Sequence, residues 1–315
     1  MRQVYYHEPV LAKTAVDYLI ISGSGTYVDC TLGGAGHAEL ILQKLQGNGI
    51  LVGIDADPDA LVFSREKLGK YSNVRILRGF FDQLDVMLMQ ENLLPVQGVF
   101  MDLGISSFQI DAAEKGFSFQ SEGHLDMRFN PDQELSAEKI INTYSAEALE
   151  EIFRLYGEEK KSRMISRRIV QERNTGTIRS TRQLAEIIKK VVPVNYQVKS
   201  LARIFQAIRI EVNQELDRLK TGLEKAFQCL TKSGRLAVIS YHSLEDRIVK
   251  EFFRYKEKDC VCPPEFPKCI CDKESEIRII TKKPVTPTPD EIEKNPRSRS
   301  AKLRVAEKIS EYVRL

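Results

Sequence analysis

The sequence predicts a doubly wound α/β fold that carries an inserted helical domain. Short, β-rich apolar runs alternate with helical patterns through the first third of the chain. Such alternation requires crossover connections, which give a parallel sheet covered by helices on both faces. After Asp102 the alternation stops, and the next strand of this kind begins only at Gly234. Because a strand–helix–strand crossover needs about 30 residues, we expect the long intervening segment to form a helical domain.

Each element has a local signal. Apolar, β-rich runs predict strands at 26–31, 49–54, 74–77, 98–101, 234–240, 277–281 and 300–305. Helical spacing of apolar residues predicts helices at 37–45, 58–68, 81–90, 146–156, 160–172, 181–191, 201–226 and 244–255. Asp57-Pro58 is a typical helix start, because proline is favoured at the first helical position. The last two strands could close the sheet. We therefore expect residues 1–108 and 214–315 to form one discontinuous domain, with 109–213 inserted.

Composition indicates a globular protein. Of 315 residues 42% are hydrophobic, and 47 Lys and Arg against 44 Asp and Glu leave a net charge of +3, which excludes a polycation. No apolar run approaches the roughly 20 residues of a membrane helix, and the N-terminus lacks a signal-peptide core. Four of the six cysteines crowd into 260–271, whereas a disulfide framework would spread them. We therefore expect a reducing compartment and a cytoplasmic protein.

The predicted helical domain is rich in basic residues. They are Arg163, Arg167, Arg168, Arg173, Arg179, Arg182, Lys189, Lys190, Lys199, Arg203 and Arg209. Such clustering is typical of a solvated helix surface, and it also suits a surface that neutralises nucleic-acid phosphates. The sequence leaves both interpretations open.

A glycine-rich turn, Leu32-Gly-Gly-Ala-Gly36, joins the first strand to the first predicted helix. Glycines let the backbone approach a ligand closely, and helix N-terminal amides face whatever lies there. Asp55 ends the next strand about 20 residues further on, the usual place for a carboxylate that binds ribose hydroxyls. These features predict a nucleoside-containing cofactor at the carboxyl edge of the sheet.

The cofactor could be NAD or S-adenosylmethionine. The NAD fingerprint requires a third glycine, where this chain has Glu39, and a carboxylate there would repel a pyrophosphate. Asp29, before the loop, instead suits a cationic amino-acid end, so S-adenosylmethionine is favoured over NAD and over a tight turn without a ligand. Phe80 or Phe81 could stack on adenine, with core packing as the alternative. Asp102 ends the fourth strand and points at the same crevice.

Several ordered motifs resemble one family. They are His7-Glu-Pro-Val-Leu11, Asp55-Ala-Asp-Pro-Asp-Ala-Leu61, Met101-Asp-Leu-Gly-Ile-Ser-Ser107, Gly116-Phe-Ser-Phe119, Leu125-Asp-Met-Arg128, Tyr156-Gly-Glu-Glu159, Phe205-Gln-Ala-Ile-Arg-Ile-Glu-Val-Asn213, Val238-Ile-Ser-Tyr-His-Ser-Leu-Glu-Asp-Arg-Ile-Val249 and Asn295-Pro-Arg-Ser-Arg-Ser-Ala-Lys-Leu-Arg304. From His7 to about Glu307 the chain resembles the bacterial 16S ribosomal RNA cytosine-N4 methyltransferases, the RsmH (MraW) family.

The resemblance implies a Rossmann-like, S-adenosylmethionine-dependent methyltransferase sheet with an inserted helical domain that recognises the substrate. It implies N4-methylation of a cytosine at the P site of the decoding centre, in 16S ribosomal RNA of the small subunit. The residues that it assigns to the cofactor are Ala35, Gly36, His37, Asp55, Phe81 (or Phe80), Asp102 and Gln109. Two positions depart from the family pattern: Ala35 replaces a glycine, and Lys199-Ser-Leu-Ala-Arg203 stands where His-Pro-Ala-Thr-Arg is common.

The chemistry that the resemblance implies needs few groups. The cytosine amine is a poor nucleophile and the sulfonium is an activated donor, so catalysis is mainly positional. Our hypothesis is that Asp102, or a backbone carbonyl in 103–106, accepts a hydrogen bond from the amine. His242 and Tyr241 are further candidates for the substrate, with an N-terminal helix cap formed by Ser243 and Asp246 as the alternative. His7 could lie over the site. A ribosome-binding assembly factor without turnover is the alternative function.

The cysteine-rich stretch forms two Cys-X-Cys pairs, Cys260 with Cys262 and Cys269 with Cys271. Four thiolates suit tetrahedral Zn²⁺, which at this position would be structural. A cysteine-rich hairpin without metal is the alternative.

Overall fold

The computed structural model describes residues 9–263 and 268–312. Within these residues the chain forms two compact units. The helical unit is Ile105–Glu215, and the sheet unit is made of the described residues within Tyr5–Gly104 and Leu216–Leu315. His7, which the sequence analysis named as a residue that could lie over the site, lies outside the described residues. None of the described helices is long and apolar enough to cross a membrane.

The sheet unit contains a seven-stranded sheet in the order β3-β2-β1-β4-β5-β7-β6. The strands are β1 (Gly25–Asp29), β2 (Gly49–Asp55), β3 (Val74–Arg78), β4 (Val96–Asp102), β5 (Leu230–Ser240), β6 (Ile277–Ile279) and β7 (Lys302–Lys308). The first five are parallel, and β7 is antiparallel to both β5 and β6. The predicted α/β class and all seven predicted strands are confirmed. Because the order reverses between β1 and β4, the carboxyl ends of these strands flank a topological switch point.

Helices cover both faces of the sheet. The helices of the described chain are α1 (Ala12–Leu19), α2 (Gly36–Leu45), α3 (Pro58–Leu68), α4 (Leu84–Gln90), α5 (Ser107–Asp111), α6 (Ala137–Thr143), α7 (Ala146–Leu155), α8 (Ser162–Arg173), α9 (Thr181–Lys189), α10 (Gln197–Asn213), α11 (Glu215–Cys229), α12 (Ser243–Glu257) and α13 (Pro289–Lys294). Apolar residues of α1, α2 and α3 pack in one core cluster with β1 and β2, and those of α4, α11 and α12 pack in another. The fold is therefore doubly wound, as predicted.

The helical unit has a core of its own. Buried residues of α6 to α10 form one continuous cluster that includes Phe153, Ile169, Ile188 and Ile208. Asn142 links α6 to the segment between α8 and α9. Its side chain donates to the carbonyl of Ile178 and accepts from the amide of the same residue.

The long predicted helix at 201–226 is wrong, because two helices occupy this range. Helix α10 ends at Asn213, and Gln214 has left-handed backbone with φ of 52°. The Asn213 side chain explains the break, since it is buried and bonds to the backbone of Met127 and Phe129 at 2.8 and 2.9 Å. The predicted helix at 81–90 begins with a 3-10 turn at Phe81–Gln83. Helix α1 was not predicted; its N-cap, Leu11, makes no side-chain capping bond.

Candidate functional site

Three carboxylates end neighbouring strands of the sheet. Asp29 ends β1, Asp55 ends β2 and Asp102 ends β4. Because these strands are parallel and adjacent, their carboxyl ends meet at one edge of the sheet. We call Asp29, Asp55 and Asp102 the carboxylate cluster.

Asp55 holds the glycine-rich loop. One oxygen of its carboxylate accepts from the Gly33 amide at 2.7 Å, and the other accepts from the Asp57 amide at 2.9 Å. Ala35 adopts left-handed backbone, with φ of 54°, immediately before α2. This conformation favours glycine, and glycine is the residue that the resemblance leads us to expect here. The small side chain of Ala35 tolerates it and is fully buried.

Helix α3 fixes the other side of the loop. The buried Ser64 hydroxyl donates to the Gly33 carbonyl at 3.0 Å, and the Lys67 ammonium donates to the Gly34 carbonyl at 3.1 Å. Gly36 allows a close approach, since a Cβ there would lie 2.9 Å from the Pro9 side chain. The loop is therefore preorganised by contacts on both sides.

His37 is buried beside the cluster. Its Nε2 lies 2.9 Å from the Val10 carbonyl, and its Nδ1 lies 3.6 Å from a carboxylate oxygen of Asp102. Burial lowers the pKa of His37, which favours the neutral ring. Because a carbonyl can only accept, Nε2 carries the hydrogen, and Nδ1 is left facing Asp102 as an acceptor.

Asp102 is positioned from two directions. Its backbone amide donates to the Thr31 hydroxyl at 2.7 Å, and its carboxylate accepts from the Tyr241 hydroxyl at 2.9 Å. Burial raises the pKa of Tyr241 well above its ordinary value, so the phenol remains a donor. Gly104 follows with φ of 91°, and a Cβ there would touch the Tyr241 ring at 3.5 Å.

The three carboxylates resist ionisation. Burial raises the pKa of Asp29 to about 6, that of Asp55 to about 6 and that of Asp102 to about 7. The charges of Asp55 and Asp102 raise the pKa of Asp29 further, whereas the charge of His37 lowers it. Among the residues that the structure describes, no Lys or Arg forms an ion pair with this cluster. Within the described chain these carboxylates are stabilised by hydrogen-bond donors rather than by Lys or Arg, so a cationic ligand would favour their ionised forms.

His242 caps α12. Its Nδ1 accepts from the Glu245 amide at 3.4 Å, and the Glu245 carboxylate accepts from the His242 amide at 3.3 Å. The predicted cap of Ser243 with Asp246 is wrong, because the chain is still extended at His242 and turns helical at Ser243. Asp246 instead bonds to Arg304 of β7 at 2.7 Å. The substrate role of His242 remains a prediction.

The two neighbouring phenylalanines lie in different surroundings. The Phe81 ring packs against the core and against Gly222 of α11, where a Cβ would lie 2.4 Å from the ring. The Phe80 ring lies 3.8 Å below the guanidinium of Arg218, which bonds to Asp82 at 2.8 Å. Arg218 was not singled out from the sequence. The stacking role assigned to Phe81, with Phe80 as the alternative, remains a prediction.

Gln109 belongs to the helical unit, in the short helix α5. Its side chain accepts from the Ser106 amide at 3.1 Å, and its amide donates to the Ser106 hydroxyl at 3.2 Å, which forms a capping box. Its predicted contact with the cofactor remains a prediction.

The four clustered cysteines lie together in the sheet unit. The sulfur atoms of Cys260, Cys262, Cys269 and Cys271 all lie within 4.8 Å of one another. The other two cysteines, Cys30 and Cys229, are buried.

The basic residues of the helical unit differ in their contacts. Arg173 donates to the carbonyls of Ile141 and Tyr144 at 2.8 and 2.7 Å, and Arg209 forms a two-bond pair with Glu215. The side chains of these two arginines are therefore engaged in contacts within the helical unit. Arg163 and Lys199, by contrast, are exposed.

Comparison with known proteins gives consistent matches. Residues 4–309 match the model of the MraW methylase family. Three relatives carry the name "Ribosomal RNA small subunit methyltransferase H". The protein from Caldicellulosiruptor saccharolyticus is 47% identical over 97% of this chain and 100% of that protein. The protein from Clostridium botulinum strain Loch Maree is 48% identical over 97% and 99%, and that from Halothermothrix orenii is 45% identical over 96% and 98%.

The family match spans nearly the whole chain, so it includes both the sheet unit and the helical unit. The sequence identity to these relatives is close to one half and extends over nearly the full length of both chains, so the relationship is not confined to one domain. The segment that matches the family model includes the glycine-rich loop and all three residues of the carboxylate cluster. The chain belongs to the MraW methylase family.

Proposed function

We propose that this chain transfers a methyl group from S-adenosylmethionine to the exocyclic N4 of a cytosine in 16S ribosomal RNA, at the P site of the decoding centre in the small subunit. Membership of a methylase family and the names of its full-length relatives support a ribosomal RNA substrate. The choice of cytosine as the base, of N4 as the atom and of the P site as the position rests on the family resemblance of the sequence motifs.

The observation that carries the proposal is the charge of the carboxylate cluster. Asp29 is buried, Asp55 and Asp102 are half-buried, and all three carry raised pKa values with no Lys or Arg paired to them in the described chain. S-adenosylmethionine has a sulfonium and an ammonium, so it would relieve the repulsion that Asp29 experiences from Asp55 and Asp102. The pyrophosphate of NAD would increase it, and Glu39 stands where the NAD fingerprint needs glycine. The residues present therefore fit the methyl donor and disfavour the dinucleotide.

We assign the cofactor residues as follows. The Asp55 carboxylate would accept from ribose hydroxyls, because an ionised carboxylate has acceptor sites beyond the two that the Gly33 and Asp57 amides occupy. The backbone at Ala35, Gly36 and His37 would approach the amino-acid end, and Phe81 or Phe80 would contact adenine. Gln109 and Asp102 would complete the set.

S-adenosylmethionine, when bound, supplies a methyl group that is already activated toward attack. The remaining work of the protein is to position the amine in line with that group. Asp102 would accept a hydrogen bond from the cytosine amine, which lets the nitrogen rehybridise and provides an acceptor for its proton. Tyr241 and Thr31 hold Asp102 in place, so they are positioning residues in this scheme.

The test is methyl transfer from labelled S-adenosylmethionine to assembled small subunits and, separately, to free 16S RNA, followed by nucleoside analysis. We expect N4-methylcytidine on the subunit. A different methylated nucleoside would contradict the assignment of N4. Donor binding without transfer to either substrate would instead favour the assembly factor without turnover.

A further inference from the structure

The two Cys-X-Cys pairs lie in the segment between α12 and β6. The proposed methyl transfer does not require them. Three sulfur–sulfur distances are 3.5 Å for Cys269 to Cys271, 3.9 Å for Cys271 to Cys260 and 4.0 Å for Cys262 to Cys269. All four sulfurs lie within 4.8 Å of one another. The four side chains therefore converge on a single point.

These distances match one coordination geometry. A zinc–sulfur bond is about 2.3 Å, so four sulfurs at the corners of a tetrahedron around zinc lie about 3.8 Å apart. A disulfide requires about 2.05 Å between its sulfurs, and all four cysteines are free thiols here. The three printed sulfur–sulfur distances are therefore close to those of a tetrahedral thiolate site, and the remaining separations do not exceed 4.8 Å.

Backbone amides support the negative charge that such a site needs. The Val261 amide donates to Cys271, the Cys262 amide donates to Cys260, and the Ile270 amide donates to Cys262, each at 3.4 Å. Hydrogen bonds to coordinating sulfur orient the ligands of a metal site and stabilise thiolate over thiol.

The apolar side chains between the paired cysteines, in the described part of this segment, are not buried. Val261 is 43% exposed and Ile270 is 69% exposed, although each stands between two cysteines. The segment nevertheless returns to the sheet unit in a fixed place, where the Glu276 amide donates to the Lys256 carbonyl at 2.9 Å and the β6 strand follows. A cross-link through the cysteines would supply the order that a core does not.

We propose that Cys260, Cys262, Cys269 and Cys271 bind one structural Zn²⁺, which fastens the connection between α12 and the edge strand β6. Four protein ligands leave no coordination position open for water or substrate, so the metal has no part in methyl transfer. This proposal is independent of the proposed function, because the ligands and their geometry owe nothing to the carboxylate cluster.

The first experiment is metal analysis of the full chain purified without chelators. We expect about one zinc per chain, and an absorption spectrum after exchange with Co²⁺ that shows thiolate charge transfer and tetrahedral ligand-field bands. The variants Cys262→Ser and Cys269→Ser should lose the zinc and these bands. The matched control is Cys229→Ser, which alters a buried cysteine of the same unit and should keep the zinc.

The competing outcomes are distinguishable. Titration of thiols in denaturant without reductant should give all six when a chelator has removed the metal. Two free thiols would indicate two disulfides and overturn the proposal, as would zinc-free protein with six thiols that does not take up Zn²⁺ or Co²⁺. Limited trypsin digestion gives a second readout: cleavage after the exposed Lys268 should accelerate at least tenfold in Cys269→Ser and not in Cys229→Ser. Equal cleavage of the two would contradict the fastening role.

Discussion

Acidic side chains have different surroundings at the carboxylate cluster of the sheet unit and on the surface of the helical unit. In the sheet unit the buried Asp29 and the half-buried Asp55 and Asp102 have raised pKa values, and the charges of the latter two contribute to the shift of Asp29. In the helical unit Glu172 lies between Arg168 and Lys190, at 2.6 and 3.0 Å, and its pKa is lowered by these partners. The carboxylate cluster places three acidic groups at one edge of the sheet, whereas Glu172 is neutralised by basic neighbours on the surface of the helical unit.

The difference indicates where ligand chemistry lies. Burying like charges costs folding free energy, so a site that does so without cationic partners is best explained by a ligand that supplies them. Exposed ion pairs contribute at most about 1 kcal/mol each and carry little information about function. The comparison therefore supports the carboxylate cluster as the proposed site of the methyl donor, and an RNA surface on the helical unit stays a prediction.

The largest effect should come from the cluster. Asp102→Asn keeps the shape of the side chain but removes the charged acceptor, so we expect methyl transfer to fall by about 10² to 10⁴. The measurement is the rate of N4-methylcytidine formation on small subunits with saturating donor. Asp217→Asn, an exposed residue of the same unit, is the control and should stay within twofold of the unaltered chain. Full turnover by Asp102→Asn would remove Asp102 from the mechanism.

A second prediction concerns stability in the helical unit. The side chains of Arg209 and Glu215 are 11% and 10% exposed and share two hydrogen bonds. Because Arg209→Ala leaves a carboxylate buried without its partner, we expect the free energy of unfolding to fall by about 3 kcal/mol. Lys189→Ala breaks the exposed pair with Glu186 and should change it by less than about 1 kcal/mol. If the two variants lose equal free energy of unfolding in denaturant titrations, the buried ion pair is no more stabilising than the exposed one.

The third prediction tests donor binding. Asp55→Asn keeps an acceptor for the Gly33 amide but removes the charge that would bind ribose hydroxyls. A hydrogen bond to a charged group contributes about 1.5–3 kcal/mol, so the dissociation constant of S-adenosylmethionine should rise about 10- to 100-fold. Calorimetry measures this directly, with Asp217→Asn again as the control. Unchanged affinity would place the ribose elsewhere.

The fourth prediction follows from the pKa of Asp102. Only the ionised carboxylate accepts from the amine without a competing proton, and its pKa is raised to about 7. We therefore expect kcat/KM, which reports the free enzyme, to rise with pH and level off above a midpoint near 7. The Tyr241 hydrogen bond lowers this pKa, so Tyr241→Phe should move the midpoint upward and reduce the rate at pH 7 about three- to tenfold. A midpoint that stays in place in Tyr241→Phe would show that another group titrates.

Local signals in the sequence predicted most of the fold. Strand–helix alternation and the gap after Asp102 were enough to predict the sheet. Asp55 and Asp102 were recognisable because strand ends are readable from apolar runs, and parallel strands bring their ends to one edge. The two Cys-X-Cys pairs were recognisable from their spacing, which left a zinc site and a metal-free hairpin both open.

What the sequence did not predict depends on contacts between distant positions. Gln214 breaks the long helix because Asn213 bonds to Met127, 86 positions away. Asp246 does not cap α12, because it bonds to Arg304, 58 positions away. The partners of Asp102 were missed for the same reason, since Thr31 and Tyr241 carry no local sign that they reach it. Helical periodicity and capping patterns cannot report such bonds.

The smallest effect should appear on the surface of the helical unit. Arg163 and Lys199 are exposed, so replacing both with Ala should leave stability and donor affinity unchanged. If both contact phosphates, the double variant should bind small subunits more weakly at low salt. It should also lower the slope of log affinity against log salt by about 2, because each lost contact removes about one released counterion. The control Lys220→Ala changes an exposed lysine of the sheet unit and should not alter the slope. Parallel salt dependences for the double variant and the unaltered chain would mean that these two residues belong to a solvated surface, and the contrast between the units would then rest on the carboxylate cluster alone.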